Sequence, residues 1–243
     1  MSEMYVSGQS GIGRLIEALA ERGHRVIGPI VRNQALVYDE IEGVEDLPKG
    51  WTDLQEPGRY RLEQRGDEKL FGYVVGPTSW KRYLNPPEAV IWSGTIGSDG
   101  FKSDPPPEPP KYAFFGVRPC EVAALAVLDN VYTSSDGVAT IAEYTATRKK
   151  AFIVAVNCSD PGGNCFCVSM DTGPTARSGY DISITEVAHN GNMRYLLTSG
   201  SEAGAEVLTS LETLEQASPD EVEAGEAVLA KAAEMMGRTL DTD

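Results

Sequence analysis

The stretch Tyr112-Ala113-Phe114-Phe115-Gly116-Val117-Arg118-Pro119-Cys120-Glu121 decides how this chain reads. Its first six residues are apolar without alternation, the pattern of a strand buried on both faces. Arg118-Pro119 is a turn signal, and Val122, Leu125, Ala126 and Leu128 then share one helical face. A second unit repeats the plan, with helical spacing from Ile141 to Lys149 and a continuous apolar run from Ala151 to Val156. Such strands alternating with helices predict an α/β fold with a mainly parallel or mixed sheet flanked by helices.

Upstream the chain reads as β-rich. Ile12, Leu15, Ile16 and Leu19 predict a helix over Ser10–Arg22, ended by Gly23. Arg25–Val31 and Ala35–Ile41 read as strands about a turn at Arg32–Gln34, and loop sequence follows to about Gly58. Tyr60–Gln64, Leu70–Val75 and Val90–Trp92 are further strand candidates, with a loop or short helix opening at Gly76. Asp104-Pro105-Pro106-Pro107-Glu108-Pro109-Pro110 is neither helix nor central strand and reads as an extended connector. It divides an N-terminal α+β portion, residues 1–104, from a cysteine-bearing α/β portion, residues 105–243, the two expected to form one compact unit. In the second portion Tyr180–Glu186 and Arg194–Thr198 read as strands. Ser218-Pro219-Asp220-Glu221 combines an N-cap, a proline at the first helical position and a capping box, and its helix is expected to reach Met236 and stop at Gly237.

Composition narrows the function. Of 243 residues, 41% are hydrophobic, enough for a core, while 36 acidic against 21 basic side chains give a formal charge of -15. That charge argues against nucleic acid and anionic membrane surfaces, and fits a solubilising surface or a basic partner. No run of about 18 apolar residues predicts a spanning helix. The N-terminus lacks a basic stretch followed by an apolar one, so a cytoplasmic location is expected.

In a reducing compartment four cysteines are seldom disulfides, which leaves metal ligation, catalysis or burial as core thiols. Cys120 directly follows one apolar strand and Cys158 another, and parallel strands end on one sheet edge, where ligand sites gather. The loop Cys158-Ser159-Asp160-Pro161-Gly162-Gly163-Asn164-Cys165-Phe166-Cys167 has a turn-forming Pro-Gly-Gly that lets it fold back over that edge. The start of the helix at Glu121 and the charge of Arg118 are expected to lower the Cys120 pKa toward thiolate. Four cysteines suit structural zinc or an iron–sulfur cluster, and the backbone at Gly162 and Gly163 is placed to hydrogen-bond the sulfurs. A thiol-redox couple at Cys165 and Cys167 is a third reading.

Other signals are weaker. Ser7-Gly8-Gln9-Ser10-Gly11-Ile12-Gly13 suggests a phosphate loop but has no evident preceding strand and no Gly-Lys-Ser/Thr ending. His24 and His189 are the only histidines, so histidine-based hydrolysis is poorly supported. Trp80 to Tyr83 reads as a solvated loop packed by its aromatics, Tyr144 and Arg148 as ordinary packing and surface charge, and Asp160 as an alternate ligand.

Gly116-Val117-Arg118-Pro119-Cys120-Glu121, Val156-Asn157-Cys158 and Cys165-Phe166-Cys167-Val168-Ser169-Met170 resemble the beta subunits of cytosolic sulfhydrogenase-type NiFe hydrogenases. They are similar also to the A subunit of anaerobic sulfite reductase. Val26-Ile27-Gly28-Pro29, Gln55-Glu56-Pro57-Gly58-Arg59-Tyr60, Gly76–Lys81 and Tyr180-Asp181-Ile182 extend the resemblance, in the family's order, over roughly residues 24–186. The resemblance implies an iron–sulfur electron-transfer subunit relaying electrons between a flavin-bearing, nicotinamide-linked subunit and a hydrogenase or sulfite reductase-type catalytic subunit. It implies a 4Fe–4S cluster on Cys120, Cys158, Cys165 and Cys167, with Arg118, Gly162 and Gly163 around it. The alternative is a structural zinc or scaffold domain. The family's C-terminal ferredoxin-like region, with two C-x-x-C-x-x-C-x-x-x-C-P runs, has no counterpart in these residues. The expectation is a fragment or a shortened relative whose partner supplies the next redox centre.

Overall fold

The computed structural model describes residues 3–74, 76–90, 92–105, 107–133 and 140–241. The first part of the chain runs β1 (Met4–Ser7), α1 (Gln9–Glu21), β2 (Arg25–Arg32), β3 (Ala35–Glu40), β4 (Trp51–Glu56), β5 (Arg59–Gln64), α2 (Lys81–Leu84), β6 (Gly94–Gly97) and β7 (Gly100–Ser103). The second runs β8 (Tyr112–Val117), α3 (Pro119–Tyr132), α4 (Ala142–Lys150), β9 (Phe152–Val156), β10 (Ile182–His189), β11 (Asn192–Ser199), α5 (Glu202–Thr209), β12 (Glu215–Gln216) and α6 (Pro219–Glu234).

An eight-stranded sheet has the order β12-β1-β11-β10-β9-β8-β2-β3, so it draws strands from both sides of residue 104. Four consecutive strands, β10-β9-β8-β2, are mutually parallel, and antiparallel pairing extends the sheet on both sides of them. The sheet is therefore mixed, one of the two expected forms. β8 and β9 lie at its centre and are buried along their whole length, which is why neither alternates. Ala113, Phe115, Val154 and Val156 face a layer built on Ile12, Leu15, Ile16 and Leu19 of α1. Phe114, Val117, Ile153 and Ala155 face Val122 and Leu125 of α3, Tyr144 of α4 and Trp80.

A bulge between Phe115 and Val117 turns Val117 to the same face as Phe114. Gly116 sits there at φ +90, and a Cβ would stand 3.1 Å from Pro29 Cδ. Glycine meets both demands, the left-handed backbone and the close approach.

Several expectations need correction. Met4–Ser7 pairs with β11 and β12, so a strand does precede the Gly8 turn. Loop sequence before Gly58 contains β4, which pairs with β5. Leu70–Val74 is not a strand, because its amides go to carboxylates instead of a neighbouring chain. Glu186 accepts from Leu70 N at 2.6 Å and Phe71 N at 3.2 Å, and Asp53 accepts from Val74 N at 2.7 Å. Val75, Ile91 and Pro106, parts of two strand candidates and the proline connector, lie outside the described residues. Val90 and Trp92 are not in a strand; the nearby strands are β6 and β7. Trp80 is buried and stacks on Tyr38 with ring centroids 3.7 Å apart, while Lys81 and Arg82 stay exposed, so the aromatics pack as expected on a segment that is a short helix and not a loop. Tyr144 and Arg148 bond Asp129 at 2.6 and 3.2 Å and fasten α4 to α3.

The capping box of α6 forms as expected, with Glu221 N donating to Ser218 Oγ at 3.3 Å and Ser218 N donating to Glu221 at 3.0 Å. The helix ends at Glu234, earlier than expected. Among the described residues no helix is long and apolar enough to cross a membrane.

Candidate metal centre

Because β8 and β9 are parallel neighbours, the residues that follow them emerge on one edge. Arg118 caps α3, which puts Cys120 in its first turn, while Asn157 and Cys158 follow β9 directly. Cys158 N donates to Pro174 O at 2.9 Å, which holds the far end of the cysteine loop against its start. Cys120, Cys158, Cys165 and Cys167, all free thiols, thereby line one cavity of about 420 Å³ together with Arg118, Val127, Phe166 and Met170. Sequence order separates these residues and the fold collects them.

The sulfurs meet backbone donors. Gly162 N donates to Cys165 Sγ at 3.3 Å. Backbone N–H groups of Asp160 and of Val168 also favour charge on Cys158 and Cys167. Gly173 gives room, since a Cβ there would stand 2.8 Å from Cys167 Sγ. Gly163 plays a different part from Gly162: a Cβ on it would stand 3.1 Å from the Gln55 carbonyl, and a Cβ on Gly237 would overlap the Gly163 carbonyl. Gly173 did not stand out in the sequence, and Gly237 read only as a helix stop.

Arg118 is buried to 2% exposure. It donates to Phe71 O at 2.7 Å, Tyr73 O at 2.6 Å and Asn157 O at 3.4 Å, and lies 4.8 Å from the Tyr73 ring centroid. Its Nε has no hydrogen-bond partner among the described residues, and Cys158 leads the groups whose charge acts on the guanidinium. A buried cation with a spare donor beside a thiol favours negative charge on sulfur.

Burial acts the other way and is the larger effect. It pushes the Cys120 thiol up to about 12 and Cys167 up to about 11, and raises Cys158 and Cys165. The expectation that Arg118 and the helix start lower the Cys120 pKa is thus overturned: burial, then Glu121 and the other thiols, dominate there, and Arg118 acts on Cys158 and Cys165. One buried and three half-buried thiols with raised pKa values stay protonated until a strong cation draws the protons off. Asp160, an alternate ligand on sequence grounds, is committed elsewhere. It pairs with Lys69 at 2.5 Å and Arg65 at 3.2 Å.

Among the described residues no three His, Cys, Asp or Glu side chains converge closely enough to hold a single metal ion. A tetrahedral zinc with ~2.3 Å bonds draws its sulfurs to ~3.8 Å from one another. A cluster bonds each cysteine at a separate iron and so takes a wider set of thiols. The donor chemistry here, four thiols with amide hydrogen bonds and a buried guanidinium, fits such a group.

Fold and site together define an α/β domain with a four-thiol cavity at the carboxyl edge of its parallel strands. The beta subunit of sulfhydrogenase 2 from Pyrococcus furiosus (strain ATCC 43587 / DSM 3638 / JCM 8422 / Vc1) is 26% identical to the chain over 183 residues, 75% of this chain and 44% of that protein. The chain is a distant relative of that subunit and spans less than half its length. No protein-family model matches the chain.

Proposed function

We propose that this chain is the iron–sulfur domain of an electron-transfer subunit, with one 4Fe–4S cluster held by Cys120, Cys158, Cys165 and Cys167. The observation that carries the reading is the convergence of all four free thiols on one cavity. The similarity to a sulfhydrogenase beta subunit supports membership of a multi-subunit oxidoreductase, with a flavin- or nicotinamide-linked subunit and a catalytic subunit as partners. When bound, the cluster supplies reversible one-electron chemistry. The chain's own residues hold it: the thiols ligate, Gly162 N and the neighbouring amides donate to sulfur, and Arg118 offsets the thiolate charge. In this reading the chain works as a relay component.

The test is metal and sulfide analysis with a visible spectrum on protein purified without oxygen. About four irons per chain and a broad absorption at about 400 nm, bleached by dithionite, are expected. Cys120→Ser should abolish both signals. One zinc per chain and no colour would instead establish the structural-zinc reading, which requires the cysteine loop to close further.

A further inference from the structure

Residues 158–173 contain no helix or strand, yet they carry three of the four thiols. On one flank the loop is tied by the Asp160 pairs with Lys69 and Arg65. On the other flank the chain leaving α6 crosses it. Arg238 N donates to Cys165 O at 3.2 Å, and Leu240 N donates to Ser169 Oγ at 3.1 Å. Met236 Sδ lies 3.9 Å from Cys167 Sγ, and Gly237 is so close to the loop that a Cβ would overlap the Gly163 carbonyl. These contacts fall on Gly163, Cys165, Cys167 and Ser169, alternate residues along one edge of the loop. The crossing segment has a fixed root, because Ala224 and Val228 of α6 pack on Val6, Val187 and Leu196 of the sheet.

We propose that residues 236–240 are a strap that positions and shields Cys165 and Cys167, with Gly237 as the positioning residue. Two backbone amides beyond the end of α6 bond to this loop, and side-chain packing of the strap is slight: Gly237, Arg238 and Leu240 are exposed. The strap is therefore a low-stability element that lifts without unfolding the sheet. Lifting it opens the loop for metal loading, and closing it presents two thiols to the cavity. That role in loading rests on the four-thiol reading; the shielding does not.

The experiment uses metal-free, reduced protein and iodoacetamide, with labelling of each cysteine followed by peptide mass spectrometry. Gly237→Val pushes the strap off the Gly163 carbonyl. Labelling of Cys165 and Cys167 should rise about tenfold while Cys120 and Cys158 keep their rates. Ser169→Ala removes one strap anchor at a half-exposed position, should change the same two rates in the same direction by a smaller factor, and keeps the test decisive if Gly237→Val misfolds. Unchanged rates in both variants, or four rates rising together in a folded Ser169→Ala protein, would overturn the strap. Anaerobic reconstitution with ferrous iron and sulfide separates the two ideas. A sulfur-to-iron charge-transfer band that appears in the parent and weakens in Gly237→Val supports positioning. A parent without the band, whose labelling still responds to the strap variants, counts against the four-thiol reading alone.

Discussion

Arg118 shows what one side chain does when its acceptors are all main-chain carbonyls. Its fork bonds residues 45 and 47 positions away, pinning the 71–73 segment to the sheet edge. A lysine has no planar fork and leaves buried carbonyls without a donor, so Arg118→Lys is expected to cost about 1–3 kcal/mol in urea unfolding. A cost below about 1 kcal/mol would mean that water replaces the fork at no penalty. Asp160 gives a pH signature. Burial pushes its carboxyl up, but Lys69 and Arg65 outweigh burial and hold it below the ordinary range. The stability it confers is present above the unfolded aspartate range, about pH 4, and is lost as pH falls through the lower folded value. Asp160→Asn should lower stability at pH 7 and flatten the acid limb below about pH 4; parallel curves for the two proteins would refute the assignment. At this scale the convergence of the cysteines on one cavity was legible because neighbouring parallel strands end on one edge. The role of Arg118 was only half legible, since its charge is visible in the sequence and its carbonyl partners, set by tertiary packing, are not.

Elements differ in how much of the core they carry, and that decides what can be removed. β6 and β7 are exposed at every residue, and Trp92 and Phe101 stack on each other without entering a core cluster. Replacing Gly94–Ser103 with a short glycine–serine link should therefore change the thermal midpoint by less than about 3 °C, a shift worth roughly 1 kcal/mol in a protein of this size. A larger loss would assign the hairpin a structural contact. Gly116 is the opposite case. Alanine there meets both a left-handed φ and Pro29, so Gly116→Ala should destabilise by about 1–3 kcal/mol. The continuous runs of β8 and β9 announced themselves, because burial on both faces leaves no room for polar residues. Met4–Ser7 did not, being four residues whose partner β11 lies far along the chain. Leu70–Val74 misled for a physical reason: it is apolar and buried like a strand, but side-chain carboxylates take its amides.

For the molecule as a whole, the four thiols link parts that the sheet alone leaves independent. Cys120 belongs to α3, Cys158 to the end of β9, and Cys165 and Cys167 to a loop braced by the 65–69 segment and the strap. A metal group bonded to all four binds the folded chain and not the unfolded one, so its binding energy becomes folding stability. At a hundredfold excess over the dissociation constant that is about 2.7 kcal/mol, or roughly 5–10 °C in midpoint for a chain of this length. The thiols must also give up their protons, with desolvation pushing Cys120 up to about 12 and Cys167 up to about 11. Loading should consequently release protons, and affinity should rise with pH across the neutral range. Thermal unfolding of loaded and metal-free protein, measured without oxygen at two pH values, checks both halves. A loaded protein with the higher midpoint, by a margin that widens from pH 6 to pH 8, is expected. Equal midpoints would show that the metal is held outside the folded core. A pH-independent gap would show that ligands other than protonated thiols hold it.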